Sequence, residues 1–292
     1  MRSTTAAARS TPERTHAERL ASRDGYFPPE SVIRRIGNSP LTPFLGGGAA
    51  VLLQVAHPLV AAGVVEHSDY RAHLWRRLVR TLRALYLITY GTRAEADAAG
   101  AAVQRGHARV HGRTKEPLGP FPAGTPYSAT DPDLMLWVHS TLVHVSLDLY
   151  QRHVHRLEPE DEERYYGEMA TVAMLFGTPS AAIPPTLGEF REYFRRQIDD
   201  GPITVTSSAR DIAGVILKAP LPTPVRVLIP AHRLATAGTL PPRLREEYGL
   251  GWSAGHRVAL HVAARAVRVT TTPAVFAASH LRLPPRLLLS QR

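Results

Sequence analysis

Residues 92–112 read Thr92-Arg-Ala-Glu-Ala-Asp-Ala-Ala-Gly-Ala-Ala-Val-Gln-Arg-Gly-His107-Ala-Arg-Val-His-Gly112. Thr92 followed three positions later by Glu95 is a capping box, so a helix begins here. The alanine-rich run behind it favours helix and is expected to reach about Val110 and stop near Gly112. Ala96, Ala99, Val103, His107 and Val110 recur at spacings of three and four, which places them on one apolar face. Small residues around an inward histidine leave room for a large flat group, and a haem bound through imidazole meets that need. On pattern alone, a core histidine bonded to a carbonyl is the commoner outcome.

The same punctuation recurs on either side. Asp131-Pro132 places an N-cap before a proline at the first helical position, and a helix to about His155 follows, with Leu134, Trp137, Val138, Thr141, Leu142, Val145 and Leu149 on one stripe. Residues 160–176 form another helix, closed by Gly177. Thr186 and Glu189 make a second capping box, opening a helix to about Gln197. Later helices are expected near 207–217, 223–236 and 253–270, separated by proline-rich breaks at 184–185, 220–224, 241–242 and 284–285. Upstream lie a helix over 70–88 and a run of twenty uncharged residues, 46–65. Gln54, His57 and Pro58 near its middle suit a single core helix better than a lipid-facing one. Strand alternation is scarce. The expected fold is all-α: one helical domain over 26–292, without internal repeats, behind a polar N-terminal tail over 1–25. The tail lacks the apolar stretch of a secretory signal and is expected to be disordered, and a cytoplasmic location follows.

The chain of 292 residues contains no cysteine. Disulfides, Fe–S clusters, thiolate-bound haem and cysteine zinc sites are thereby excluded, and any metal must be held by histidine, carboxylate or tyrosine. The net charge is +10. Residues 202–292 contribute most of it, with twelve Lys and Arg against three acids. A basic face can serve nucleic acid, an anionic membrane or acidic ligands. No nucleic-acid motif accompanies the charge, so no specific nucleic-acid partner is expected and membrane contact is at most weak and peripheral. Phosphate-loop, dinucleotide, zinc-protease and serine-hydrolase motifs are absent. The Glu-x-x-His spacing of di-iron bundles occurs once, at Glu13 and His16 in the expected tail, where a bundle needs two inside helices.

Among the other histidines, His139 and His144 share the long helix, but an i,i+5 spacing does not aim two side chains at one ion. His153 and His155 sit near that helix's C-terminus, where positive charge is favourable. His57, ahead of Pro58, could line a pocket. Arg77 and Thr81 are four apart and share a face of the helix over 70–88, which Leu74, Leu78, Leu82 and Leu85 make partly buried. A buried arginine needs an anionic partner. A haem propionate, a substrate carboxylate or a reduced oxygen species would serve, as would an ordinary ion pair with Asp69 or Glu66.

Taken in order, six stretches resemble a known family over about residues 40–200. They are the run from Gly46-Gly-Gly to His57-Pro58 with Glu66-His67-Ser68, then Arg77-Leu-Val-Arg80-Thr81, His107-Ala-Arg-Val-His111-Gly112, Tyr127-Ser-Ala-Thr-Asp131-Pro132, Trp137-Val-His139, and Tyr165-Tyr166 with Gly177-Thr-Pro179. The family is that of the MpaB-type oxygenases, which includes the latex clearing proteins. The resemblance implies a globin-like helical core around a buried, non-covalent b-type haem. His107 matches the histidine of the family's H-x-x-V-x-G motif and is the implied iron ligand, with His111 in reserve. Arg77 and Thr81 match its R-x-x-x-T pair and are implied to lie beside the haem, with His57 lining the pocket. Rubber-cleaving members carry a lysine before that threonine, and Arg80 stands here; guanidinium is too basic to ligate iron. Their pocket glutamate has no aligned counterpart, and Glu66 is the only acid nearby. The implied activity is oxygenation of an unsaturated apolar molecule, isoprenoid or lipid-like, by dioxygen at an open iron position, with Arg77, Arg80 and Thr81 acting at the site. A haem sensor or carrier would share the ligand without turnover, and a cofactor-free scaffold would use His107 as core.

Overall fold

The computed structural model describes residues 18–19, 22–39, 41–68, 70–218 and 229–270, and the side chains of 41–44, 70–77 and 269–270 fall outside that description. Among the described residues the protein is all-α, with twelve helices and one two-stranded sheet. The helices are α1 (Val32–Gly37), α2 (Leu41–Val55), α3 (Pro58–His67), α4 (Tyr70–Tyr90), α5 (Arg93–His107), α6 (Pro132–His153), α7 (Pro159–Phe176), α8 (Leu187–Asp199), α9 (Ser207–Leu217), α10 (Ile229–Thr239), α11 (Pro242–Glu247) and α12 (Ala254–Thr270). The short strands β1 (His111–Arg113) and β2 (Pro126–Ser128) pair antiparallel between α5 and α6.

Helix α2 is the hub, packing against α6, α10, α9 and α3. Its glycines set how closely the neighbours approach. A Cβ on Gly46 would lie 2.8 Å from Val145 Cγ1 and Leu149 Cδ1 of α6. One on Gly48 would lie 2.5 Å from Thr236 Oγ1 and 2.8 Å from His232 Nε2 of α10. One on Gly47 would meet nothing within 4 Å. Two of the three glycines are therefore spacers, one for each side of the hub, and the third costs helix propensity without a packing return. Gly48→Ala is expected to destabilise the fold by about 1–3 kcal/mol through overpacking. Gly47→Ala is expected to stabilise it by up to about 1 kcal/mol. Urea denaturation of the two variants checks both signs.

The uncharged run at 46–65 is two helices rather than the single one expected. Pro58 has no N–H, and the residue before a proline is kept out of the helical region. His57 is accordingly extended (φ −79°, ψ 117°), and its ring Nδ1 accepts the Leu59 N–H at 3.3 Å, so it caps the next helix. The two pieces meet at 104° and bury Leu52, Leu53, Ala56 and Ala61 in the core. Among the described residues no single helix is long and apolar enough to cross a membrane; the bent pair reaches that length and composition only together.

The capping signals hold. Thr92 and Glu95 form both halves of the box, Asp131 accepts from the N–H groups of Asp133 and Leu134, and Thr186 accepts from that of Glu189. Gly177 ends α7 with φ +102°, a left-handed conformation that glycine adopts without Cβ strain, and Thr178 N–H reaches back to Ala173. Two short helices, α1 and α11, and the β1–β2 hairpin were not foreseen. Residues 223–228 of the helix expected at 223–236, the breaks at 220–224 and 284–285 and most of the expected tail lie outside the described residues. Arg19, inside that tail, is buried and donates two bonds of 2.7 Å to the Glu95 carboxylate.

Candidate functional site

Helices α4 and α5 are joined by two residues, Gly91 and Thr92, and pack against each other as an αα-hairpin. Helical rise is the same on both arms, so residues equally far from the connection stand level. Arg77 lies thirteen residues before the end of α4, and His107 fourteen after the start of α5. The hairpin thus brings the turn carrying Arg77 opposite the turn carrying His107, two positions that the sequence separates by a long interval. Arg77's side chain lies outside the described ones, and Arg80 and Thr81 on the next turn are exposed.

His107 is half-buried and is the last residue of α5. The expected face behind it is present: Ala96 and Ala99 are buried and Val103 is half-buried. The adjacent face is held by α7, where Gln104 Nε2 donates to the Leu175 carbonyl (3.0 Å) and Gly100 sits so close to that carbonyl that a Cβ would lie 2.5 Å from it. Leu78, Leu82 and Leu85 on α4, with Val103 and Val110, are only half-covered by the chain. Leu78 stands nearest the level of His107, whereas Leu85 packs on the main core farther toward the connection.

The helix ends three residues earlier than expected. The Val110 N–H turns back to the His107 carbonyl (2.9 Å), and the Ala129 N–H bonds the Val110 carbonyl (2.8 Å), starting the hairpin. His111 is consequently on an exposed strand and not one helical turn beyond His107. A polar cluster ties this hairpin to the end of α3. The Tyr127 hydroxyl donates to Glu66 Oε2 (2.5 Å), Lys115 Nζ lies 3.3 Å from Glu66 Oε1, and His67 Nε2 donates to the His111 carbonyl (3.1 Å). The Tyr127 bond, with Lys115, holds the Glu66 carboxyl below the usual carboxylate range against the opposing effect of burial. Burial and Glu66 push the Tyr127 hydroxyl up. Both carboxylate oxygens are engaged, so Glu66 acts as an anchor for the hairpin and is poorly placed to serve as a pocket base.

His57 is buried, stacks on Phe121 with centroids 5.6 Å apart, and has Nδ1 occupied by its capping bond. Burial lowers its pKa to about 4, with Asp131 opposing, so the ring is neutral at pH 7. His139, named in the Trp137-Val-His139 stretch without a role of its own, is the polar residue whose surroundings the sequence does not disclose. It is 5% exposed in the middle of α6, and neither ring nitrogen has a hydrogen-bond partner. Burial lowers its pKa to about 4. Its i,i+5 neighbour His144 instead stacks on Phe194 at 4.3 Å, so the two rings have separate surroundings. Among the described residues no three or more histidines and carboxylates are grouped to hold a metal ion. An open depression of about 450 Å³ along α9, lined by Arg210, Asp211, Gly214, Val215 and Lys218, includes none of the expected site residues.

Comparison with protein families matches residues 34–269 to the family described as "ER-bound oxygenase mpaB/B'/Rubber oxygenase, catalytic domain". The chain belongs to this family. The match on this MpaB/rubber oxygenase domain runs from α1 into α12, well past the 40–200 stretch where the motifs cluster, and takes in His57, Arg77, Arg80, Thr81, His107 and His139. No curated protein and no solved structure matches the chain. Membership of an oxygenase family makes the MpaB-type chain an oxidoreductase, and its substrate is a separate question.

Proposed function

We propose that this oxygenase holds a b-type haem through His107 and oxidises an unsaturated apolar molecule, isoprenoid or lipid-like, with dioxygen. The observation that carries this reading is the α4–α5 hairpin, which sets the H-x-x-V-x-G histidine level with the R-x-x-x-T arginine beside half-covered apolar surface. A haem would bring most of its iron's ligands itself, so one histidine, His107, would suffice to hold it where no group of three or more metal-ligating residues is present among the described residues.

When bound, the haem supplies dioxygen activation. The chain's own residues do the rest. His107 would hold the iron, and the small face of Ala96 and Ala99 leaves space for a flat ring. Arg77 and Arg80 provide positive charge along one arm, suited to propionate carboxylates and to negative charge that builds up on oxygen. Thr81 adds a hydroxyl on the exposed side of the same turn. Leu78 and Val110, half-covered by the chain, would offer an apolar substrate contact surface and exclude water from it.

The test is an absorption spectrum of the purified protein before and after adding hemin, then a ferrous spectrum with carbon monoxide, then oxygen uptake with isoprenoids and unsaturated fatty acids. Expected are a protein-bound Soret band, ready carbon monoxide binding and oxygen uptake with at least one alkene. Hemin that keeps its free-solution spectrum would overturn the haem reading. Carbon monoxide binding without turnover on any substrate would favour a sensor or carrier.

A further inference from the structure

Helix α12 carries apolar residues on two sides, and the rest of the chain covers only one of them. Leu260, Ala264 and Val267 recur at spacings of four and three and form the covered stripe. That stripe packs on α10 and α6. A Cβ on Gly238 of α10 would overlap Leu260 and lie 3.0 Å from Trp252 Cη2, so the glycine lets α12 seat closely and fixes its rotation. At about 100° per residue, Val258 and Val262 then stand on the opposite side. They are 62% and 59% exposed, the two most exposed large apolar side chains among the described residues. A lone exposed valine is ordinary. These two lie one turn apart, with exposed Ala259, Ala263 and Ala266 beside them, and make a continuous apolar strip.

Positive charge borders the strip. Arg257, His261, Arg265 and Arg268 recur at spacings of four, four and three along its flank, and all are exposed. Residues 249–270 contain no acid, so the arginines have no partner on their own helix. Arg268 donates to the Gln151 carbonyl, which leaves its charge uncompensated. At the start of the helix, Arg245 lies over the Trp252 ring at 4.4 Å and close enough to Arg257 for the two charges to oppose each other. On the neighbouring helices, Asp148 is engaged by Arg152 (2.5 Å) and Glu247 by Arg243 (2.7 Å). Glu246 is the exposed acid of α11.

We propose that α12 docks on an anionic lipid surface, with Val258 and Val262 seated between the headgroups and Arg257, Arg265 and Arg268 against their negative charges. A helix with an outward apolar face beside a basic flank suits the boundary between headgroups and acyl chains, and its cations add attraction to anionic lipid. Nucleic acid would engage the arginines and leave both valines in water. A second copy would present the same positive flank, with no acid on its own α12 to meet it. The contact does not depend on the cofactor, so failure to bind hemin would leave it standing.

The test mixes the full chain with vesicles of phosphatidylcholine alone or of phosphatidylcholine and phosphatidylserine in equal parts, and reads the bound fraction by cosedimentation. The chain has no cysteine, so Val262→Cys gives a single attachment point for an environment-sensitive fluorophore. Expected are binding to the mixed vesicles, little binding to phosphatidylcholine, loss of binding as salt rises, and a blue shift of the fluorophore on binding. Arg257→Gln with Arg265→Gln is expected to weaken binding by about twentyfold, as for two basic residues near a charged surface. Val258→Asp is expected to weaken it by about tenfold, as for one apolar side chain kept from burial. All these positions are exposed, so the variants are expected to keep the wild-type circular dichroism. No vesicle binding, or binding that none of these substitutions reduces, would overturn the proposal. Binding without a blue shift and equally tight binding of duplex DNA would overturn it in favour of a nucleic-acid face. Self-association that Val258→Asp abolishes, without vesicle binding, would overturn it in favour of a second copy.

Discussion

Replacing His107 with alanine is expected to leave the fold intact and to weaken hemin binding on the order of 100-fold or more, since even outer-shell partners of metal ligands are worth 10–100-fold. The fold survives because His107 is the last residue of α5 and only half-buried, and alanine is a better helix former at that position. Gln104 and Gly100 continue to hold the helix on α7. His111→Ala is the matching control and is expected to keep nearly all the hemin. Its side chain is exposed on β1, and the contact it makes with His67 is through its backbone carbonyl, which alanine retains. Hemin titration with circular dichroism on the same samples separates the outcomes. Full retention by the His107 variant, or loss by the His111 variant alone, would move the ligand to the hairpin.

Acid is expected to begin destabilising the hemin-free protein from about pH 6.5, before most carboxylates titrate. His57 and His139 are buried with pKa values near 4, against 6.5 when solvated, because burial disfavours the charged ring. The unfolded chain therefore takes up their protons first as the pH falls. The stability they contribute is complete above pH 6.5 and is lost progressively between pH 6.5 and 4, at about 3 kcal/mol for each ring. Asp131 moderates the effect at His57 by favouring its charged form. Urea unfolding followed from pH 7.5 to 4 reads this loss. His57→Asn removes one titration while keeping a good N-cap side chain, so its profile is expected to be flatter than the wild type's. An Asn variant as acid-sensitive as the wild type would show that His57 stays neutral for reasons unrelated to acid stability.

The sequence was most legible where local chemistry decides structure. Thr92, Asp131, Thr186 and Gly177 announce helix ends through side-chain oxygens or a missing Cβ, and each does so in the structure. Pro58 carries an equally local signal, yet the uncharged run around it reads as one continuous helix where the structure has two. The hairpin was harder, because its strands are three residues long, too short for alternation to register. At the site, the His107 face could be found from spacing within one helix. That Arg77 stands opposite His107 depends on which helices pair. That His139 is unpartnered depends on what surrounds α6 from other elements. Spacing between His139 and His144 bears on whether two rings can reach one ion, and is silent about the environment of either.

The short connection at Gly91 and Thr92 gives the α4–α5 hairpin the logic of a vernier. One residue inserted between Arg77 and Tyr90 would turn Arg77 through about 100° and displace it by about 1.5 Å against His107. The same change between Arg93 and His107 would do likewise from the other arm. Extra residues at the connection itself leave both arms' faces and mutual level free to re-form. Length changes in chains built on this hairpin should therefore be tolerated at its tip and rejected along its arms, even at exposed positions such as Arg83 where a substitution would pass unnoticed.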